Sequence, residues 1–248
     1  MSGHSKWSTI KRKKGAIDAR RGKLFTKLIK EISIAAKEGS PDPEANPRLR
    51  LAIANAKGNN MPKENIERAI KKAQGADADS YQEVSYEGYG PNGIAVFVEC
   101  LTDNTNRTVS NVRSLFSKYG GSLGVSGSVE YLFDRKGVFS MEVPDKFDED
   151  EFTLEMIDAG AEELSVEDGY IQITCSLSDF GNIQRKLDEL KLEAENAQIE
   201  LIPLNTVSLD DDVFLRVMRL IEALEDNDDV QRVFHNMDIT EKQMEMVG

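Results

Sequence analysis

The spacing of apolar residues changes at a short polar segment, Gln74–Ser80, which reads QGADADS. Between Phe25 and Ala36 the apolar residues recur at helical spacing and lysines lie on the opposite side, as in an amphipathic helix. After the segment, short apolar stretches separated by glycine and proline turns are typical of strands. We therefore predict an α+β fold, in which an N-terminal helical domain is followed by two α/β domains and Gln74–Ser80 is a linker.

Three helices are expected before the linker. The first covers Ala16–Lys37 and is closed by the prolines that follow it, because proline cannot continue a helix. The second begins with Asn46 as its N-cap and Pro47 at its first helical position. The third begins at Pro62 and ends at Gly75. This part of the chain is therefore predicted to be entirely helical.

The residues after the linker predict an interrupted sheet. We expect strands at Tyr81–Glu87, Ile94–Cys100 and Ser128–Phe133, and a helix with Val109, Val112, Phe116 and Tyr119 on one side. A helix at Asp212–Glu225 and a strand at Val230–His235 are too few to form a core of their own. We therefore expect them to return to the sheet that begins at Tyr81.

The stretch between these parts, Gly137–Leu204, reads as β-α-β-β-α-β, which is the ferredoxin-like pattern. Its expected strands are Gly137–Val143, Glu162–Val166, Tyr170–Cys175 and Ala197–Leu204, and its expected helices lie near Glu151–Ala159 and Ser178–Leu190. The predicted domains are therefore residues 1–76 as a basic helical domain, 77–134 plus 205–238 as an interrupted α/β domain, and 135–204 as a ferredoxin-like domain inserted in it.

Charge is strongly segregated along the chain. Met1–Gly75 contains 18 basic and 7 acidic residues, and the whole-chain totals of 31 and 44 leave 13 basic and 37 acidic residues for Ala76–Gly248. A basic end on an acidic body predicts binding to a polyanion such as nucleic acid. The alternative is that the lysine-rich helices are simply well solvated. Without a polyanion, we expect the opposite charges to draw the basic helices to the acidic body.

The candidate nucleic-acid contacts lie in the first thirty residues. Trp7 follows Lys6 and precedes a basic cluster, and such interleaved aromatic and basic residues can stack on bases while they bind phosphates. Packing of Trp7 against the helices is the equally favoured alternative. The predicted contacts are Lys6, Trp7, Lys11, Arg12, Lys13, Lys14, Arg20, Arg21, Lys23, Lys27 and Lys30.

Two glycine-rich stretches resemble nucleotide-binding motifs only superficially. Gly88–Gly93 matches G-x-G-x-x-G, but a strand rather than a helix is expected to follow it, so we predict a hairpin turn. Gly120–Ser128 follows a helix and precedes a strand, the reverse of a phosphate-binding loop, and is predicted to be a structural or partner-facing loop. Neither stretch predicts a nucleotide cofactor.

The remaining residue types favour no catalytic centre. His4 and His235 are the only histidines and lack zinc-binding spacing, and Cys100 and Cys175 are expected to be buried thiols. Three acidic clusters are expected at helix ends or in solvated turns: Asp148–Asp150, Asp210–Asp212 and Glu225–Asp229. The alternative from another functional class is a metal-dependent phosphodiesterase that would use Asp103 or Asp148–Asp150. We expect no cofactor, no metal, no catalytic residue and no membrane association.

The chain resembles the YebC-type proteins, whose mitochondrial relative is the translational activator of cytochrome oxidase. The matching motifs are Gly3–Trp7, Asp18–Lys27, Asn46–Arg50, Asn60–Pro62, Asn65–Lys72, Tyr86–Pro91, Thr102–Thr108, Gly127–Phe133 and Leu224–Gln231. The resemblance implies a helical domain, two α/β domains and no enzymatic activity. It also implies a probable DNA-binding transcriptional regulator, or alternatively a ribosome-associated factor that relieves stalling on proline-rich sequences.

Because the signature begins at Gly3, we expect a bacterial, cytoplasmic protein without a presequence. The predicted partners are DNA or ribosomal RNA, with a possible protein partner on the acidic α/β body.

Overall fold

In the computed structural model, the chain is described at residues 18–75, 80–144, 147–167 and 169–247, with side chains from residue 21 onward. It folds into two compact units. The first contains Met1–Glu31, Asp77–Asp134 and Ile202–Gly248, and the second contains Ile32–Ala76 and Arg135–Leu201. The division into three domains stays a prediction. The predicted α+β class is confirmed, because N-terminal helices are followed by antiparallel sheets.

The N-terminal helices are α1 (Asp18–Glu38), α2 (Pro47–Gly58) and α3 (Lys63–Ala73). The predicted start of α2 is confirmed: the Asn46 side chain accepts a hydrogen bond from the backbone N–H of Leu49 at 3.1 Å, and Pro47 is the first helical residue. The Asn46 amide also donates to the carbonyl oxygen of Ala35 at 2.8 Å. This one side chain therefore starts α2 and fixes the turn that leads out of α1.

The first unit is built on a sheet with the strand order β3-β1-β2-β9. The strands are β1 (Gln82–Tyr89), β2 (Ala95–Thr102), β3 (Ser122–Leu123) and β9 (Val230–His235), and the helices α4 (Thr105–Lys118) and α7 (Asp211–Glu225) cover it. β9 pairs antiparallel with β2, and Phe214, Val217 and Leu220 of α7 are buried in the same core as Val96 and Val98. The predicted return of the C-terminal helix and strand to this sheet is confirmed.

The second unit contains the ferredoxin-like sheet, whose strand order is β5-β6-β4-β7. The strands are β4 (Phe133–Glu142), β5 (Ala161–Glu167), β6 (Tyr170–Cys175) and β7 (Asn196–Pro203), and the helices are α5 (Glu149–Asp158) and α6 (Phe180–Glu189). The order is the one that a β-α-β-β-α-β segment produces when its first and third strands lie in the centre. Phe139, Ile173, Met156 and Ile183 form part of its core.

Within the second unit, α2 binds the edge strand β7 through a side-chain amide. Asn55 donates from Nδ2 to the carbonyl oxygen of Ala197 at 2.9 Å and accepts from its backbone N–H at 2.8 Å. These are the two hydrogen bonds that a neighbouring strand would make. Asn55 therefore satisfies backbone groups that an edge strand otherwise leaves open for pairing with another chain.

A short parallel pair and a last helix complete the first unit. β8 (Val207–Ser208) pairs with β10 (Met237–Asp238), and α8 (Glu241–Val247) follows. Among the described residues, no helix is long and apolar enough to cross a membrane.

The strand predicted at Ser128–Phe133 is wrong. The chain forms a 3-10 turn at Glu130–Leu132, and β4 begins only at Phe133. The reason is the buried carboxylate of Glu87, which accepts hydrogen bonds from the backbone N–H groups of Gly127, Val129 and Glu130 at 2.6, 2.7 and 2.9 Å. Those N–H groups are consequently not available for a strand ladder.

Candidate nucleic-acid interface

The predicted contact residues that the structure describes lie along α1. Lys6, Trp7, Lys11, Arg12, Lys13 and Lys14 lie outside the described residues, and Arg20 lies in α1 with its side chain outside the described ones. Arg21 is exposed, with its guanidinium carbon 5.4 Å from the centre of the Phe25 ring. Lys23, Lys27 and Lys30, here called the lysine row, follow at spacings of four and three, which brings them to one side of the helix.

The lysine row binds the segment Glu225–Asp229, here called the acidic segment. Lys23 Nζ lies 2.8 Å from Asp226 Oδ1, and Lys27 Nζ donates to the carbonyl oxygen of Glu225 at 2.9 Å. Both parts belong to the first unit. The predicted attraction between the basic helix and the acidic body is therefore present in the structure. The prediction of a solvated turn at Glu225–Asp229 holds for Asp226 and Asp228, which are exposed, and is wrong for Asp229, which is buried.

Lys30 lies at the buried end of the row. Its ammonium group donates to the carbonyl oxygens of Asp228 at 2.6 Å and Leu101 at 3.3 Å, and lies 3.4 Å from Asp229 Oδ1. It also lies 5.3 Å from the centre of the Tyr81 ring. Lys30 is only 7% exposed, whereas the Lys23 side chain is 44% exposed. Exposure to solvent therefore decreases along the row, from an open ion pair to an enclosed one.

Asp229 is the acceptor on which these contacts converge. It is 5% exposed, and its Oδ2 accepts from Arg107 Nη2 at 2.8 Å, Arg107 Nε at 3.1 Å and Thr108 Oγ1 at 2.9 Å. Burial by itself would raise the pKa of Asp229, but the hydrogen bonds from Arg107 and Thr108 and the charge of Lys30 hold that pKa below its usual value. Asp229 is therefore ionised and links α1, α4 and the turn before β9.

Sequence reasoning missed Asp229 and Arg107. Both lie in stretches on which the family resemblance rests, Thr102–Thr108 and Leu224–Gln231, but their contact joins positions that are 122 residues apart. No local pattern predicts such a contact.

The two glycine-rich stretches lie next to each other in the first unit. The hairpin predicted at Gly88–Gly93 is confirmed, because β1 and β2 pair antiparallel across it and Asn92 and Gly93 have φ values of 57° and 74°. The loop Gly120–Ser128 is held by the Glu87 carboxylate and by the Tyr89 hydroxyl, which donates to the carbonyl oxygen of Ser128 at 2.7 Å. The hydrogen bonds to Glu87 hold its pKa below the usual value although burial opposes them.

The thiols and carboxylates considered for catalysis have structural surroundings. Burial raises the pKa of Cys100 to about 12 and that of Cys175 to about 11, so both are protonated thiols at neutral pH. Asp103 pairs with Arg107 at 2.7 Å, and Asp148 caps α5 by accepting from the N–H of Glu151 at 3.1 Å. Within the described residues, no group of three His, Cys, Asp or Glu side chains has metal-binding geometry.

Fold and charge together define the class: an α+β protein with N-terminal helices, an antiparallel sheet in one unit and a ferredoxin-like sheet in the other. Family models match residues 5–76, as the N-terminal domain of TACO1/YebC proteins, and residues 81–237, as their second and third domains. The chain belongs to the TACO1/YebC family.

Similar proteins match this chain over all or nearly all of their length. A protein of Amoebophilus asiaticus named "probable transcriptional regulatory protein" is 57% identical over 96% of this chain and 98% of its own. One of the same name from Rubrobacter xylanophilus is 51% identical over 100% of both chains. The crystal structure of a conserved hypothetical protein from Aquifex aeolicus is 46% identical, covers 90% of this chain and 93% of its own, and superposes with a TM-score of 0.82.

Proposed function

We propose that this protein is a non-enzymatic, cytoplasmic regulator of gene expression that binds DNA through its basic N-terminal third. The observation that carries the proposal is the lysine row, whose ammonium groups each bind oxygen acceptors of the acidic segment. Phosphate oxygens are anionic acceptors that bind ammonium groups as the carboxylate and carbonyl oxygens of this segment do, so a nucleic-acid backbone can replace exposed members of that segment. The names of the relatives, probable transcriptional regulatory proteins, support a role in regulation.

The basic side chains of the proposed interface become less accessible to a phosphate along α1. Arg21 and Lys23 are exposed, so Arg21 can reach a phosphate directly and Lys23 can do so by exchanging its exposed ion pair with Asp226. Lys30 can do so only if α1 separates from the acidic segment, because its ammonium group is enclosed. We therefore assign the first contacts to Lys6, Trp7, Lys11, Arg12, Lys13, Lys14, Arg20, Arg21 and Lys23, and a later, conditional contact to Lys27 and Lys30.

Contacts of this kind recognise the phosphate backbone and not the base sequence. Lysine is a flexible point charge, and specific readout requires side chains that reach base edges in a groove. We therefore propose non-specific duplex binding, which depends on charge.

The test is binding of the full chain to a labelled 30-base-pair duplex of arbitrary sequence, measured by fluorescence anisotropy at low salt, with magnesium present in a parallel sample. We expect saturable binding and an intact duplex. Absence of binding would contradict the proposal, and cleavage that is lost in Asp103→Asn would assign the protein to the phosphodiesterase class.

Sedimentation of a cell lysate then separates the two regulatory roles. Enrichment with chromosomal DNA supports the proposal, and co-migration with ribosomes supports the translation role instead.

A further inference from the structure

The helix α5 of the ferredoxin-like sheet has apolar side chains on two sides. Phe152 and Met156 are buried in the core of the second unit. On the other side, Leu154 is 65% exposed and Ile157 is 56% exposed. Because residues three apart on a helix are neighbours, these two side chains form one exposed apolar surface. The fold itself does not need them, since the core is closed by the opposite side of the helix.

The apolar pair lies among acidic residues. Asp150 and Asp158 lie four positions before and after Leu154, and both are exposed. Asp150, Leu154, Ile157 and Asp158 are here called the docking stripe. The helix contains no lysine or arginine, and residues 135–201 contain 6 basic and 18 acidic residues. The surroundings of the stripe are therefore both apolar and strongly negative.

The charge changes toward the end of the helix. A cleft beside Asp158 and Ala159 is lined on the α6 side by Asn182, Arg185 and Lys186. Lys186 pairs with Glu189 at 3.5 Å. The cationic side chains of α6 thus lie beside the C-terminal end of α5, whereas Glu149, Asp150 and Glu151 lie in its first turn, which gives the docking stripe a direction.

We propose that the docking stripe is a binding surface for a protein partner that presents an apolar groove with lysine or arginine residues at its rim. A helix with anchors three residues apart fits such a groove, and the flanking carboxylates would pair with the rim. The partner's basic groups would lie mainly toward Asp150. This surface is separate from the basic residues of α1 and does not depend on the proposed DNA binding.

Charge complementarity favours this occupant over others. Nucleic acid and anionic lipid would both be repelled by α5, because its charged side chains, all of them within the described residues, are carboxylates. A second copy of the chain, docked stripe to stripe, would place like charges opposite each other and is disfavoured for the same reason.

The first experiment uses a synthetic probe, an amphipathic 18-residue peptide of leucine and lysine labelled with a fluorophore, added to the full chain. We expect L154S/I157S to weaken binding of the peptide at least tenfold. The matched control L177S/I199S changes two other partly exposed apolar residues of the same unit. We expect it to leave the affinity within twofold of the wild type. Circular dichroism and the thermal midpoint show whether each variant is folded.

Equal affinity of the wild type and L154S/I157S would overturn the proposal, as would an equal loss in the control variant. A concentration-dependent dimer in analytical ultracentrifugation that disappears in L154S/I157S would also overturn it, because a second copy would then be the occupant.

A second experiment tests the charges with the same peptide. Asp150→Lys should weaken peptide binding more than Glu189→Lys, since Glu189 lies beside the basic residues of α6. The reverse order would contradict the proposed direction of the stripe.

Discussion

The carboxylate of Asp229 binds donors from separate elements of the fold. Because this carboxylate is buried, the loss of one donor weakens the support for the others. A buried charge that loses its partners is costly, because the low-dielectric surroundings do not replace the lost hydrogen bonds. Arg107, Thr108 and Lys30 each direct a donor at this group. At the residue scale, Asp229 is therefore the one side chain that contacts α1 and α4 together at the turn before β9.

Asp229→Asn should lower the free energy of unfolding by about 3 kcal/mol, because Lys30 loses the nearby carboxylate and Arg107 loses its buried carboxylate partner. Urea unfolding followed by circular dichroism measures the change. The matched control is Asp226→Asn, whose exposed pair with Lys23 should be worth less than about 1 kcal/mol. Equal effects of the two substitutions would show that burial of Asp229 is not what makes it important.

Glu87→Gln should destabilise the protein by about 2 kcal/mol at pH 7, because three backbone N–H groups lose an ionised acceptor. The pKa of Glu87 is lowered in the folded state, so its contribution is complete above the unfolded-state value of about 4.3 and is lost as the pH falls below it through the native pKa. The difference in unfolding free energy between wild type and variant should therefore shrink on acidification. A difference that grows toward low pH would contradict this assignment.

At the scale of elements, close packing between α2 and the segment before β7 leaves no room for a methyl group at Gly58. A Cβ atom built there would overlap the backbone of Glu195. Gly58→Ala should consequently destabilise the protein by at least about 1 kcal/mol, although alanine is the better helix former. Gly181→Ala in α6 is the matched control, because nothing lies within 4 Å of its added Cβ, and it should stabilise by about 0.5–1 kcal/mol. Thermal unfolding of both variants tests the opposite signs.

The contact between α1 and the acidic segment predicts a change in DNA affinity as well. Asp226→Ala frees Lys23 and should tighten duplex binding by about 1.4- to fivefold, the equivalent of an exposed ion pair of about 0.2–1 kcal/mol. Asp211→Ala is the matched control, since it removes the same charge and frees Lys242 in the same unit. Anisotropy titrations in identical buffer compare the two. A similar gain in both would mean that only the net charge matters.

Local sequence signals and long-range contacts differ in how far they could be predicted. Asn46-Pro47 specified the start of α2 because capping is decided within four residues, and the ferredoxin-like pattern followed from the order of its elements. The strand expected at Ser128–Phe133 failed because Glu87, some 40 residues earlier, binds its N–H groups. The burial of Asp229 was missed for the same reason: an acidic composition indicates exposure to solvent, and only the fold brings Lys30 and Arg107 to this residue.

At the scale of the whole molecule, charge segregation is the property that the proposed function uses. The basic third carries a net excess of positive charge inside a chain whose formal charge is −13. Under the proposed function, we expect the acidic body to weaken binding to nucleic acid by repulsion and the acidic segment to compete with phosphate for the lysine row. Binding should therefore depend strongly on salt, because both the contact with phosphate and the competing contact are ionic.

The salt dependence of duplex binding by the full chain tests this proposal most directly. Each phosphate that a basic residue neutralises contributes about −0.9 to the slope of log affinity against log salt concentration. We expect a steep slope for the wild type, and a slope less negative by about 0.9 for each contacting residue removed in the variant K11A/R12A/K13A/K14A. An unchanged slope and affinity in that variant would contradict the proposed interface and would leave the basic N-terminal third as a solvated surface.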